Sequence, residues 1–398
     1  MIEDIIVSIC ELGKVSSESA EAYAQARDKL LMHLLAHLKS NPDIIRLIGV
    51  NSFDLILNKN HRHAALMATV FRSNDFELLV CTSLSEYRAY GSRGFSSDYF
   101  PAELQAWYTA VDECLEHPTQ KAEIQAVYSW MIRRHKDIIE LLPDRQHIEF
   151  PVRTESYELQ QLFQELLLRG DNAGCLQMVD QVISTTADLK RFYLEAIWPS
   201  MYRIGQLWES NQVTIAEQFL ATAIVSRVMA SLYQRFAEIN ITQGKVVVSA
   251  AANDFHELGA RMVGDFMEMD GWDVHYMGKN NSAEELLGVL KKQKPFALAL
   301  SVATVFHLSN VHQVIQMIRN SEDIKNLKIL VGGSAFTEMP DLWQNVGADG
   351  YAADAESAVQ LVNGWWSQGV SADKEEESYL TTSSSLGVRS LQHTYLGT

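Results

Sequence analysis

From residue 245 onward the sequence changes texture. Short apolar, β-rich runs at residues 246–250, 274–277, 296–301 and 329–331, with a weaker one at 350–352, alternate with stretches of amphipathic helical spacing. Parallel strands need a crossover of a dozen or more residues between them, usually a helix. Five strands separated by helices therefore predict a doubly wound parallel sheet, a Rossmann-like α/β domain over residues 241–370. Residues 157–236 read as helix, with turn signals at 170–174, 185–188 and 210–212, which predicts a four-helix bundle over 154–240. Pro143 and Pro151 frame a polar, aperiodic stretch that suits a linker, so the boundary falls near residue 150. Residues 1–150 are expected to be a mainly helical N-terminal module, with apolar residues at helical spacing over 20–38 and 122–142. Residues 371–398 turn to Lys and Glu, then Ser and Thr, and are expected to form a disordered tail.

A chain of 398 residues with 47% apolar content supplies two or three cores. Its formal net charge of −17 disfavours nucleic acid as a partner, because phosphate binding needs clustered Lys and Arg. The four cysteines, Cys10, Cys81, Cys114 and Cys175, lie far apart without metal or disulfide spacing, which suits a reducing compartment. No signal-peptide pattern is present, and no run of ~18 apolar residues reads as a membrane span. A cytoplasmic protein with neither membrane nor nucleic acid as partner is expected.

In open parallel sheets ligands bind beyond the carboxyl ends of the strands. The loop after the first strand reads Asn253-Asp254-Phe255-His256-Glu257-Leu258-Gly259, that after the third Ser301-Val302-Ala303-Thr304, and that after the fourth Gly332-Gly333-Ser334. A histidine two residues past an aspartate can offer one ring nitrogen to a metal while the other donates to the carboxylate. Gly259 lets the next helix begin close to a bulky ligand, and Gly332-Gly333 lets backbone approach a flat or extended group. Each piece alone is common; their joint occurrence after strands one, three and four is what selects a site.

The run His256-Glu257-Leu258-Gly259-Ala260-Arg261-Met262-Val263, continuing to Met269-Asp270-Gly271-Trp272-Asp273-Val274, resembles the cobalamin-binding domain that leaves the lower cobalt position to a protein histidine. Val331-Gly332-Gly333-Ser334-Ala335-Phe336 and Gly347-Ala348-Asp349-Gly350-Tyr351 fit the same family, and the resemblance covers about residues 190–368. It implies that His256 is the lower cobalt ligand and Asp254 its hydrogen-bond partner. Ser301, Gly332 and Gly333 would line the buried nucleotide tail, with Thr304 in the same cofactor-binding set.

Tyr202-Arg203-Ile204-Gly205-Gln206-Leu207-Trp208 and Val213-Thr214-Ile215-Ala216-Glu217-Gln218-Phe219-Leu220 resemble the cap over the upper corrin face in cobalamin-dependent photoreceptors. Those proteins carry a tryptophan, nine residues, then Glu-His; here Trp208 stands at that spacing before Gln218-Phe219. The resemblance implies that Trp208 packs beside the 5′-deoxyadenosyl group of adenosylcobalamin. Phe219 cannot ligate cobalt, so after photolysis the upper position would fall to water, another exogenous ligand, or His135, His147 or His307.

Residues 85–101 are dense in aromatics and arginine. Arg88 and Arg93 could pair with propionates while Phe95 to Phe100 stack on a flat conjugated ligand; the other reading is an aromatic helix-loop-helix core. The layout resembles the photocobilins, which bind biliverdin beside cobalamin. His61 and His63, in Asn60-His61-Arg62-His63, could assist such a pigment or be solvated loop residues, and the second is the preferred reading. No helix-turn-helix or kinase signature is visible. The expectation is a homo-oligomeric, non-enzymatic light sensor that binds adenosylcobalamin, with biliverdin as a second chromophore and an unidentified downstream protein. The alternatives are a corrinoid protein of a methyltransferase system and a binding module that senses cobalamin or another tetrapyrrole without light.

Overall fold

The computed structural model describes residues 2–142, 154–236, 240–252, 254–337 and 342–368; the expected linker and C-terminal tail lie outside these. The sheet comprises β1 (Lys245–Ala250), β2 (Asp273–Gly278), β3 (Ala297–Ser301), β4 (Lys328–Gly332) and β5 (Gly350–Ala352). All neighbours are parallel, in the order β2-β1-β3-β4-β5. The chain winds outward from β1 to β2, then crosses to β3 on the other side, so the topological switch point lies between β1 and β3.

Strands β1, β3 and β4 are buried on both faces, which is why they read as unbroken apolar runs, whereas the edge strand β2 is only partly buried. Val246, Val248 and Ala250 pack with the bundle and the Leu258–Met269 helix. Val247, Leu298, Leu300 and Val331 share a core with the Leu308–Arg319 helix and the N-terminal module.

The bundle has its four expected helices: Thr154–Leu168, Asn172–Val182, a third beginning at Thr186, and Ile215–Phe236. The third starts with a capping box between Thr185 and Asp188, passes through a π turn at Tyr193–Ile197 and continues as Trp198–Glu209. Pro199 has no N–H to donate, and the ladder widens just ahead of it, with the Trp198 N–H bonding the Tyr193 carbonyl. The fourth helix qualifies the membrane expectation. Ile215–Tyr233, at mean hydropathy 1.3, is long and apolar enough to cross a membrane. Ala221, Val225, Val228, Met229 and Leu232 on it are buried in the bundle core.

The N-terminal module contains seven helices among the described residues: Ile2–Cys10, Ser17–Ser40, Ile44–Ile48, Phe53–Ser73, Phe76–Gly91, Tyr99–Cys114 and Pro118–Leu141. Ser16, Ser52 and Asp75 cap three of them through their side chains. Its interior holds Lys59 Nζ between Glu103 at 2.7 Å and Glu86 at 3.1 Å. Asn60 and His63 are no loop residues: both are buried on the Phe53–Ser73 helix, His63 against Trp107 and Tyr128, while His61 is exposed on the same helix. Burial pushes the His63 imidazole down to about 4, so it is neutral.

The module packs on both the sheet domain and the bundle. The Phe53–Ser73 helix packs on the Val305–His307 turn and the Leu308–Arg319 helix, and the Phe76–Gly91 helix packs on Trp198–Glu209.

Candidate functional site

The loops after β1 and β3 meet at Asp254. This side chain is fully buried; Oδ1 accepts the His256 backbone N–H at 3.0 Å and lies 2.7 Å from His256 Nδ1, while Oδ2 accepts the Ala303 N–H at 3.2 Å. Burial would push its carboxyl up, but the hydrogen bonds from His256 and the nearby imidazoles outweigh that and hold it below the usual carboxylate range. An ionised Asp254 fixes the proton of His256 on Nδ1. The His256 side chain is 56% exposed, so Nε2 presents its lone pair outward, the arrangement a metal-ligating histidine requires. His307 Nε2 lies 3.7 Å from the same Asp254 oxygen.

Beside this loop a cavity runs between the carboxyl ends of β3, β4 and β5, the Leu258–Met269 helix and the bundle. Gly259, Ser301, Gly332 and Gly333 line it together with Leu194, Trp198, Met262 and Asp354. The glycines are required there. A Cβ at Gly259 would lie 2.6 Å from Ser301 Oγ, and one at Gly332 2.6 Å from the Ala352 carbonyl. Gly333 has φ +101°, and a Cβ there would meet the Val302 carbonyl at 2.5 Å. Leu194 and Trp198 were not legible as lining residues, because the π turn that brings them to the cavity has no signature beyond Pro199. Thr304 precedes the Val305–His307 turn and is not among the lining residues.

The cap residues are less closely gathered. Gln218 and Phe219 lie near the start of Ile215–Phe236, with the Phe219 side chain exposed. Trp208 ends the third helix, and its ring is covered by the Arg93 guanidinium at 4.2 Å. Arg93 Nη2 also donates to the Trp208 carbonyl at 3.2 Å, and Ser92 Oγ to that of Glu209 at 2.6 Å. Arg93 thus holds the cap instead of standing ready for a propionate. The aromatic stacking surface expected over residues 95–100 is likewise spent internally: Phe95, Tyr99 and Phe100 are buried, and Phe100 stacks on Tyr87 at 3.7 Å. Arg88 sits half-buried in the last turn of Phe76–Gly91. Of the other histidines, His135 is tied to the Tyr87 hydroxyl at 3.0 Å, and His147 lies outside the described residues.

One outward imidazole beside a glycine-walled cavity, at the switch point of a doubly wound sheet and under a helical cap, defines a cofactor-binding α/β module. The donor set suits a metal that arrives with its own equatorial ligands. Residues 244–360 match the family model of the B12 binding domain, and residues 159–233 match a second B12 binding domain model. The chain is a cobalamin-binding protein, and this site fits the cofactor: His256 would hold cobalt, and the cavity would take the nucleotide tail. The N-terminal module lies outside both matched stretches.

Similar proteins include a corrinoid protein of Desulfitobacterium hafniense strain Y51, 19% identical over 204 residues, covering 50% of this chain and 93% of the relative. Dimethylamine corrinoid protein 1 of Methanosarcina acetivorans is 23% identical over 162 residues, 40% of this chain and 75% of the relative. Among solved structures, the monomethylamine corrinoid protein of Methanosarcina barkeri aligns with a TM-score of 0.46 at 15% identity, covering 51% of this chain and 96% of that one.

Proposed function

We propose that this protein is an adenosylcobalamin-binding light sensor whose N-terminal module reads the position of the cap. The observation that carries the reading is the grip of Arg93 and Ser92 on Trp208 and Glu209. Bound adenosylcobalamin supplies a cobalt–carbon bond that light can break. The chain's own part is to hold and to report. His256, fixed by Asp254, would hold the cobalt, and the glycine-walled cavity would anchor the tail of the cofactor. A shift of the Trp198–Glu209 helix cannot leave the N-terminal module untouched, because its last carbonyls and its terminal ring are bound by residues of that module. That makes the seam a two-state element which the upper ligand can bias. The protein signals by contact, without turnover, and its acidic charge favours a basic downstream partner. Biliverdin has no place in this reading, since the aromatic faces of residues 87–100 are packed on one another.

The similarity to dimethylamine corrinoid proteins supports a second reading, a corrinoid protein of a methyltransferase system. There the N-terminal module would have to lift from the cap to admit a partner enzyme. The deciding experiment loads the protein with adenosylcobalamin in the dark, illuminates it with green light, and follows absorption together with amide exchange of residues 198–213. Photolysis with faster exchange in that segment is the expected result. A photostable complex overturns the light-sensor reading in favour of the methyl carrier.

A further inference from the structure

A second cavity, of about 180 Å³, lies in the seam between the N-terminal module and the sheet domain and shares no lining residue with the corrin site. Its apolar wall is Leu78 from the N-terminal module and Leu308, Leu342 and Val346 from the sheet domain. Two basic side chains line it from opposite modules, Arg72 at the end of the Phe53–Ser73 helix and His312 on Leu308–Arg319. Clefts at domain interfaces that combine apolar walls with a few convergent polar groups are a usual form of small-molecule site.

The polar groups select the ligand. The Thr69 and Ser73 hydroxyls donate to the Ala65 and Thr69 carbonyls at 3.1 and 2.9 Å, and Asn345 Nδ2 donates to Asp75 at 3.1 Å. Arg72 is ion-paired with Glu21 at 3.7 Å, beyond hydrogen-bond length, so its planar fork can take a bidentate acceptor. Burial and the Arg72 charge lower the His312 imidazole against a hydrogen bond with the Val346 backbone that raises it, so it is neutral and Arg72 is the one cation among the residues that line the cavity. With Asp75 and Glu21 close by, a dianion would be repelled where a monoanion is accepted.

We propose that this cavity is a binding site for a small organic monocarboxylate with an apolar body, its carboxylate on Arg72 beside His312 and its body against the leucines. Such a ligand would touch both modules and tie them together, independently of the corrin. The test uses the full-length, cobalamin-loaded protein, with benzoate and phenyl phosphate titrated by calorimetry. Benzoate should bind saturably at one site per chain, with the same affinity in cobalamin-free protein, and phenyl phosphate more weakly. Arg72→Met should weaken benzoate at least ~10-fold by removing a charge-assisted pair. Leu342→Trp should fill the cavity and abolish binding while the cobalamin spectrum, which reports folding of either variant, stays unchanged. The proposal falls if benzoate does not saturate, if both variants bind it as the parent does, if phenyl phosphate binds more tightly, or if cobalamin displaces benzoate.

Discussion

The Arg93 guanidinium lies 4.2 Å from the centre of the Trp208 ring and donates to the carbonyl of the same residue at 3.2 Å, a contact that crosses 115 positions of sequence. The last carbonyls of a helix have no partner within it. Arg93 and Ser92 therefore complete the end of the Trp198–Glu209 helix from another module. Arg93→Ala should uncover both ring and carbonyl at a cost of roughly 1–2 kcal/mol. Arg93→Lys should recover only part, because an ammonium cannot stack and fork at once. Amide exchange over residues 198–213 should speed up in the alanine variant; unchanged exchange would show that the helix end is held by other contacts.

His256 and Asp254 make a graded pair of predictions. His256→Ala removes the outward nitrogen, so the variant should give the spectrum of cobalamin without a protein axial ligand and bind it far more weakly. Asp254→Asn leaves the nitrogen but loosens its tautomer and ring orientation, and should cost ~10-fold or more in affinity. Spectral titration with cobalamin separates the two. Wild-type spectrum and affinity in His256→Ala would remove this histidine from the cobalt site.

The sheet domain was legible because its inner strands β1, β3 and β4 are buried on both faces and its loops carry glycines whose backbone positions admit no side chain, as at Gly333. The N-terminal module was less so. A search for apolar periodicity passes over Lys59, Asn60 and His63, yet all three point inward on one helix, where ion pairs and Trp107 satisfy the first two. Spacing alone also gives Trp208 a place in the cap without showing that Arg93 covers it, since that contact exists only once two modules have docked. Arg93 has the chemistry of a carboxylate clamp in sequence; the fold decides what it clamps.

Lys59 offers a test of the buried network. Its ammonium lies between Glu86 and Glu103, and Tyr99 donates to Glu103 at 2.9 Å. Attraction to Lys59 overcomes burial at Glu86 and holds its carboxyl down, whereas burial wins at Glu103 and holds it up. Lys59→Met should destabilise the module by about 3–5 kcal/mol, because it strands a buried carboxylate. Adding Glu86→Gln should restore a good part of that loss in thermal unfolding. No recovery in the double variant would mean that the cost is one of packing.

Asp265 gives a pH prediction at the junction of bundle and sheet domain. Tyr193, the first residue of the π turn, donates to its Oδ2 at 2.7 Å across 72 positions of sequence. Burial pushes the Asp265 carboxyl up to about 6, against the lowering effects of Tyr193 and Arg261. In the unfolded chain the group titrates at ~3.9. Between these values the folded protein binds more protons than the unfolded one, so this contribution is fully present below about pH 4 and is lost as the pH rises through about 6. At pH 7 to 8 the wild type carries a buried carboxylate that works against it by on the order of 2 kcal/mol. Asp265→Asn keeps an oxygen to accept from Tyr193 and never ionises. It should therefore be more stable than wild type at pH 8 by up to that amount, with the gap closing toward pH 4. Urea unfolding of both proteins at pH 4, 6 and 8 checks this, and a difference that does not vary with pH would mean that Asp265 keeps an ordinary carboxylate titration in the folded chain.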